Sequence, residues 1–120
     1  MTYEKLVTAL QYRLVADGDR QAVIEDAYAG DLLSDVMGNA NQDSVLITIQ
    51  AHKNTVAVAS LVQIHLIVLC NDRKAPEDMR TAATEQNIAI CETTDNQFVA
   101  AYKIARLLGR YEIIACGLEL

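Results

Sequence analysis

Polar side chains that can bind a ligand follow each of three short apolar runs in this 120-residue chain. The runs are Val45–Ile49, Leu66–Cys70 and Ile88–Cys91. The polar residues after them are His52, Lys53, Asn54, Asn71, Asp72, Arg73 and Asp95. Lysine and arginine offset phosphate charge, and histidine exchanges a proton near neutral pH. These residues predict a rim that binds a nucleotide or small anion; the alternative is that they are polar because loops are solvated.

Catalytic chemistry is harder to assemble from the same residues. Spacing pairs no serine or cysteine with His52, and His65, just before an apolar run, is expected to be a hydrogen-bonded boundary histidine. Ser34 lacks the GxSxG surroundings of a nucleophile. Asp31 and Asp35 are compatible with Mg²⁺, but Asp31 is better placed to cap a helix. We therefore predict no catalytic residue, no metal and no cofactor.

The three apolar runs themselves indicate the fold. Each is too short to span a membrane and too uniformly apolar for a strand with one solvated face, which is typical of strands in a parallel sheet. Helix-like stretches separate them, as in βαβ units. The sequence predicts one α/β domain over residues 1–120, with a mainly parallel central sheet flanked by helices. Ile47, Val68 and Ala89 are expected side by side on strands of one direction.

Weaker signals surround this pattern. Thr2–Leu10 reads as a helix and Tyr12–Val15 as a strand, while Ala22–Tyr28 is a weaker strand whose acidic residues Glu25 and Asp26 suggest an edge position or an exposed end. Residues 110–120 form a tail in which a further strand is a candidate. In the last helix, Thr94 and Gln97 match a capping box. That helix is predicted to bury one face, made of Phe98, Ala101, Tyr102, Ala105 and Leu108.

The segment with the clearest signals for the start and end of a helix is Gly30–Gly38. Asp31 fits an N-cap, and Gly38 fits the left-handed residue after a helix. Leu32, Leu33 and Met37 are available for burial or for an interface, and Ser34 for a local hydrogen bond. Together with the apolar face of Thr55–Val62, they exceed what so small a domain must bury, which favours self-association.

These motifs resemble a known family. Gly30–Gly38 reads GDLLSDVMG, followed by a strand ending in ITI and then NTVAVASL. The pattern resembles the small stand-alone DRTGG-like domain proteins, which are related to the N-terminal domain of HPr kinase/phosphorylase. The resemblance runs from about Leu6 to Leu108. It implies an α/β domain, usually dimeric, that is regulatory or accessory to an enzyme or sensor kinase rather than catalytic.

The chain departs from the family at two loops. The Gly-Asp-Arg loop and the Thr-Gly-Gly turn of DRTGG domains correspond here to Ala51–Asn54 and Cys70–Arg73. These stretches contain no glycine, whose missing side chain lets a backbone approach a phosphate closely.

Composition narrows the possible partners. The net charge of −6 disfavours nucleic acid. The odd cysteine count (Cys70, Cys91, Cys116) argues against a disulfide framework, and the N-terminus lacks signal-peptide features, so we expect a cytoplasmic protein. The leading hypothesis is a non-catalytic regulatory or protein-interaction module that forms a homodimer. The alternative is a nucleotide or small-anion sensor that uses the predicted rim.

Overall fold

The structure is a computed structural model that describes residues 1–111, 113–114 and 117–118. The helices within these ranges are α1 (Tyr3–Leu10), α2 (Leu33–Asn39), α3 (Lys53–Val62), α4 (Glu77–Glu85) and α5 (Gln97–Leu108). The strands within them are β1 (Arg13–Ala16), β2 (Asp26–Ala29), β3 (Ser44–Thr48), β4 (Ile64–Leu69), β5 (Ala89–Glu92), β6 (Ile113–Ile114) and β7 (Gly117–Leu118).

The first five strands form one sheet in the order β1-β5-β4-β3-β2. Strands β2 to β5 run parallel, and β1 is antiparallel to β5, so the predicted α/β fold with a mainly parallel sheet is confirmed. Ile47 lies directly opposite Val68, as predicted. The expected position of Ala89 is wrong by two residues, because Cys91 is opposite Val68 and Ala89 is opposite Leu66. Apolar runs indicate where strands lie, whereas their register depends on the length and packing of the connecting helix.

Helices cover both faces of this sheet. Alternate strand residues such as Val45 and Ile47 join a core with α1 and α5, whereas Leu46 and Ile67 join a second core with α2, α3 and α4. All four side chains are at most 1% exposed. The near-continuous apolar runs are therefore explained, since residues on both faces of each strand are buried.

Helix α5 buries only part of the predicted face: Ala101 and Leu108 pack against the core, whereas Phe98 and Tyr102 do not. Ala100 and Ile104 are 0% exposed, whereas Phe98 is 83% and Tyr102 61% exposed. Both sets recur at helical spacing, and the choice between them is made by packing against the sheet and α1. The predicted capping box is also wrong, because Asn96 is the N-cap and accepts a hydrogen bond from the Val99 amide.

The predicted caps of α2 are both wrong. The helix begins at Leu33 and its N-cap is Leu32, without a side-chain hydrogen bond. Asp31 instead turns its carboxylate toward the end of β3. Gly38 lies inside the helix, and Ala40 is the C-cap.

The edge position expected for the weaker strand is confirmed, because β2 is the last strand of the sheet. Its first residue, Asp26, is 6% exposed and is held by Asn41 and the Tyr111 hydroxyl.

In the tail, β6 and β7 pair antiparallel as a separate sheet, while residues 112, 115, 116, 119 and 120, including Cys116, lie outside the described residues. Among the described helices, none is long and apolar enough to cross a bilayer.

Candidate functional site

The predicted rim residues lie in three loops at one end of the sheet. Each loop leaves the carboxyl end of a parallel strand: His52 follows β3, Asn71 to Arg73 follow β4, and Asp95 follows β5. Parallel strands bring such loops to the same edge, where ligands bind in open α/β sheets. All the predicted residues at this edge are exposed except Asp95, which is half-buried. The sequence-predicted rim is thus placed at one end of the molecule.

The loops after β4 and β5 are joined by backbone hydrogen bonds. Asn71 and Asp72 both adopt left-handed backbone conformations, with φ of 59° and 58°. Their amides donate to the carbonyl oxygens of Asp95 and Thr93, each at 2.9 Å. Asparagine and aspartate tolerate this conformation better than most residues, so the turn forms without glycine. The two loops therefore contact each other above the strand ends.

Asp95 is held by two side chains from the α1–α5 side of the sheet. Its Oδ2 accepts from the Tyr12 hydroxyl at 2.8 Å and pairs with Lys103 Nζ at 2.6 Å. The hydrogen bonds from Lys103 and Tyr12 keep the pKa of Asp95 below its ordinary value. Burial and the bond to Asp95 raise the pKa of Tyr12 well above its ordinary value. The carboxylate is thus engaged in linking β1, the β5 loop and α5.

Asp31, which the sequence predicts to be an N-cap, instead organises a second network at the same end. Its Oδ1 accepts from Thr48 Oγ1 at 2.9 Å, the Ile49 amide at 2.9 Å and Gln97 Nε2 at 3.1 Å. Gln50 Nε2 donates to the Asp31 carbonyl oxygen at 2.9 Å. These bonds join the ends of β2 and β3 to the first turn of α5. No local sequence signal indicates them, because the partners are up to 66 residues apart.

His52 and Lys53 lie where α3 begins. His52 is the N-cap, and its Nδ1 accepts from the Asn54 amide at 3.0 Å, which requires an unprotonated Nδ1. Lys53 and Asn54 lie at one end of a groove of about 500 Å³ between α3 and α4. The rest of its lining comprises Val56, Ala57, Ser60, Leu61, Ala82, Glu85 and Gln86. Lys53 therefore belongs to the outer helix layer as much as to the strand-end rim.

A buried carboxylate, not among the predicted site residues, lies beneath the rim. Glu92 ends β5, is 6% exposed, and accepts from the Ala75 amide at 2.8 Å. Lys74 Nζ lies 3.9 Å from Glu92 Oε1 and 2.8 Å from Asp72 Oδ1. A hydrophilic residue closing an apolar run is the signal that marks such a position. Glu92 fixes the loop before α4, since its partner amide precedes Pro76.

The other residues singled out in the sequence differ in their surroundings. His65 Nε2 lies 2.7 Å from Asp43 Oδ1, as expected for a hydrogen-bonded boundary histidine. Burial raises the pKa of the Cys70 thiol to about 11 and that of Cys91 to about 12. Ser34 is exposed in the first turn of α2, and Asp35 bonds Tyr28 and Asn39. Across the described ranges, no group of three or more His, Cys, Asp or Glu residues could hold a metal ion.

The helices also leave large apolar side chains in solvent. Leu32 is 68% and Met37 48% exposed at α2, and Leu61 is 71% exposed at the rim of the α3–α4 groove. By contrast, Val36 and Val56 on the inner faces of the same helices are at most 1% exposed. Isolated exposed apolar residues are ordinary, but three on neighbouring helices form a candidate contact surface.

Comparison with known proteins supports the fold. No protein-family model and no curated protein matches the sequence. Among solved structures, the chain is similar to the CBS and DRTGG domains of the regulatory region of Clostridium perfringens pyrophosphatase, complexed with the activator diadenosine tetraphosphate. The sequence identity is 10% and the TM-score 0.67; the match covers 86% of this chain and 45% of that chain. This chain therefore spans less than half of the structure it resembles, and the likeness supports the DRTGG-like α/β fold.

Proposed function

We propose that this protein is a non-catalytic regulatory module that forms a homodimer and binds a partner enzyme or sensor kinase. The observation that carries the proposal is the exposure of large apolar side chains on the helices, among them Phe98 at 83%, Leu61 at 71% and Leu32 at 68%. Burying such side chains against another protein is favourable in proportion to the apolar area removed from water. The groove beside Leu61, which has a volume of about 500 Å³, adds a concave apolar surface.

The state of the polar residues supports the same conclusion. His52 caps α3, Asp31 links strand ends to α5, and Asp95 is bonded to Tyr12 and Lys103. These groups stabilise loops and helix starts through their hydrogen bonds. The likeness to the regulatory region of a pyrophosphatase agrees with a module that modulates another protein.

The proposal is tested by the oligomeric state and by binding through α3. We expect sedimentation equilibrium of the purified chain at about 1 to 100 µM to show a dimer. A monomer throughout this range would contradict the homodimer. For the partner, we expect an enzyme or kinase that co-purifies in stoichiometric amount to be lost from the Leu61→Lys variant and kept by the Glu85→Gln variant on the same groove. Equal retention by both variants would contradict binding through this surface.

A second candidate function is nucleotide or small-anion sensing at the strand-end rim. Two observations favour it: the loops carrying His52, Asn71 and Arg73 meet at one end of the sheet, and the similar pyrophosphatase structure contains a nucleotide activator. Arg73 and Lys53 form no ion pair with the described residues, so their charges are available to an anion.

A thermal-shift titration tests this second function. A ligand at about 100 times its dissociation constant stabilises the folded state by about 2.7 kcal/mol, which raises the melting temperature by several degrees. We expect ATP, AMP or diadenosine tetraphosphate at millimolar concentration to do so, and the Arg73→Ala variant to respond less. The matched control is Arg80→Ala on the outer face of α4. An unchanged melting temperature with all three nucleotides would contradict nucleotide sensing.

A further inference from the structure

Helix α5 carries a stripe of three exposed side chains that the fold does not use. Phe98 is 83% and Tyr102 61% exposed, and Arg106 one turn further on is also exposed. Each is four residues from the next, so the three lie along one side of the helix. Ala100 and Ile104 occupy the opposite side and are 0% exposed. Arg106 takes part in no ion pair with the residues that the structure describes.

The stripe is complementary to itself. When two copies of α5 pack antiparallel about a twofold axis at Tyr102, residues four positions before and after the axis face each other. Phe98 then meets Arg106 of the second copy, and the two Tyr102 rings meet at the axis. Arginine is attracted to the face of an aromatic ring, and paired aromatic rings attract each other. An isologous interface requires this kind of self-complementary surface.

We propose that the homodimer forms through this antiparallel pairing of α5 stripes, with a second copy of the chain as the occupant. The inference rests on the proposed homodimer and assigns it to α5, which leaves Leu32, Met37 and the α3–α4 groove to the partner protein. The apolar faces of α2 and α3, which the sequence predicts for self-association, lie on the other face of the sheet.

Neighbouring charges permit this pairing. Lys103, the other cation in the middle of α5, is held by Asp95 at 2.6 Å and lies 5.7 Å from the centre of the Tyr12 ring. Its charge is therefore offset within the same protomer.

The aromatic side chains also contribute buried area. Each aromatic side chain buries about 150–250 Å² when covered. Four of them supply about 600–1,000 Å², roughly two fifths to three fifths of a standard interface of about 1,600 Å², and the surrounding helix surface must supply the rest.

An exchange of residues tests the pairing. Phe98→Arg places arginine against Arg106 of the second copy, so we expect the dissociation constant to rise at least about tenfold. Adding Arg106→Phe restores an aromatic–arginine pair at the same place, and the double variant should return to within about threefold of the original affinity. Sedimentation equilibrium measures all three proteins. Circular dichroism checks that these exposed substitutions leave the fold intact.

The control is Leu61→Arg, which alters an equally exposed apolar side chain on α3 and should leave the dimer unchanged. A dimer weakened by Leu61→Arg but not by Phe98→Arg would overturn the α5 interface and leave the proposed homodimer standing. Failure of the double variant to regain affinity would overturn the antiparallel pairing. A chain that is monomeric before any substitution would contradict the homodimer itself.

Discussion

At the residue scale, Asp31 shows how one carboxylate can serve the tertiary structure rather than its own helix. Its position before an apolar segment is typical of an N-cap. In the structure, its Oδ1 instead accepts three hydrogen bonds, from Thr48, the Ile49 amide and Gln97. The residue therefore fixes the relative position of β2, β3 and α5, which together form part of the candidate rim.

The substitution Asp31→Ser separates these two roles. Serine is as good an N-cap as aspartate, so a capping role predicts little change in stability. A serine side chain is too short to reach all three donors, and leaving such donors unpaired costs about 1–3 kcal/mol. We expect urea denaturation to show a loss of about 2 kcal/mol for Asp31→Ser and little change for the exposed control Glu85→Ser. Equal stability of Asp31→Ser and the unmodified chain would favour the capping role.

Two tyrosine–aspartate pairs give the protein a defined dependence on pH. Tyr3 donates to Asp17 at 2.7 Å, and Tyr12 donates to Asp95 at 2.8 Å. The hydrogen bonds from Tyr3 to Asp17 and from Lys103 and Tyr12 to Asp95 lower the pKa of both carboxyls. Burial, with these hydrogen bonds, raises the pKa of both phenols. A lowered carboxyl pKa stabilises the fold at pH values above the unfolded pKa of about 4. A raised phenol pKa stabilises the fold at pH values below the unfolded pKa of about 10.

Stability is therefore expected to fall at both ends of the pH scale. The carboxyl contribution is lost as pH falls below about 4 toward the lowered pKa values, and the phenol contribution is lost as pH rises above about 10. In the Tyr12→Phe variant, the part of the stability loss at alkaline pH that is due to this phenol disappears. Near neutral pH, the variant is less stable than the unmodified protein by about 1 kcal/mol. Melting temperatures between pH 3 and 11 measure both limbs. Identical alkaline limbs in the two proteins would contradict the assignment to Tyr12.

At the scale of elements, α2 and α5 show why helix faces and ends were misassigned. Both helices were predicted in the correct part of the chain, but Gly38 lies inside α2 and Phe98 faces solvent on α5. Period and composition identify a helix, whereas its buried side depends on which neighbour it packs against. For α5 that neighbour includes α1, some ninety residues earlier in the chain.

Two glycines test the placement of these elements with the same substitution. A Cβ at Gly18 would lie 2.9 Å from the Ala89 amide nitrogen and 3.0 Å from the Asn87 carbonyl oxygen, so the loop must move away from β5. Gly18→Ala should therefore cost about 1–3 kcal/mol. At Gly38 nothing lies within 4 Å, and Gly38→Ala inside α2 should stabilise the protein by about 0.5–1 kcal/mol. Denaturant unfolding measures both, and a destabilising Gly38→Ala would mean that the helix ends before this residue.

At the scale of the whole molecule, both faces of one sheet are sealed by helices. Cys70, directly after β4, and Cys91, on the neighbouring strand β5, are 0% exposed and contribute to the α1–α5 core. Burial raises the pKa of both thiols, which disfavours the reactive thiolate. Neither cysteine can react while these helices remain packed on the sheet.

Thiol labelling in a Cys116→Ser background therefore reports unfolding of the whole domain. We expect both remaining cysteines to react with a disulfide reagent at one slow rate, which rises with urea as the global stability falls. The reagent should react at once with the denatured protein, which provides the reference rate. Rapid reaction of one cysteine in the folded protein would show that this part of the sheet opens independently.

The sequence by itself determined the fold class, the order of the elements and the end of the sheet where the polar loops meet. Apolar runs such as Val45–Ile49 carry this information locally, because burial on both faces leaves only apolar residues along a strand. The tertiary structure alone decided the partners of Asp31, Asp95 and Glu92 and the exposed face of α5. These contacts and this exposed face depend on side chains brought together from distant parts of the chain. A local sequence pattern does not indicate which distant residues will meet.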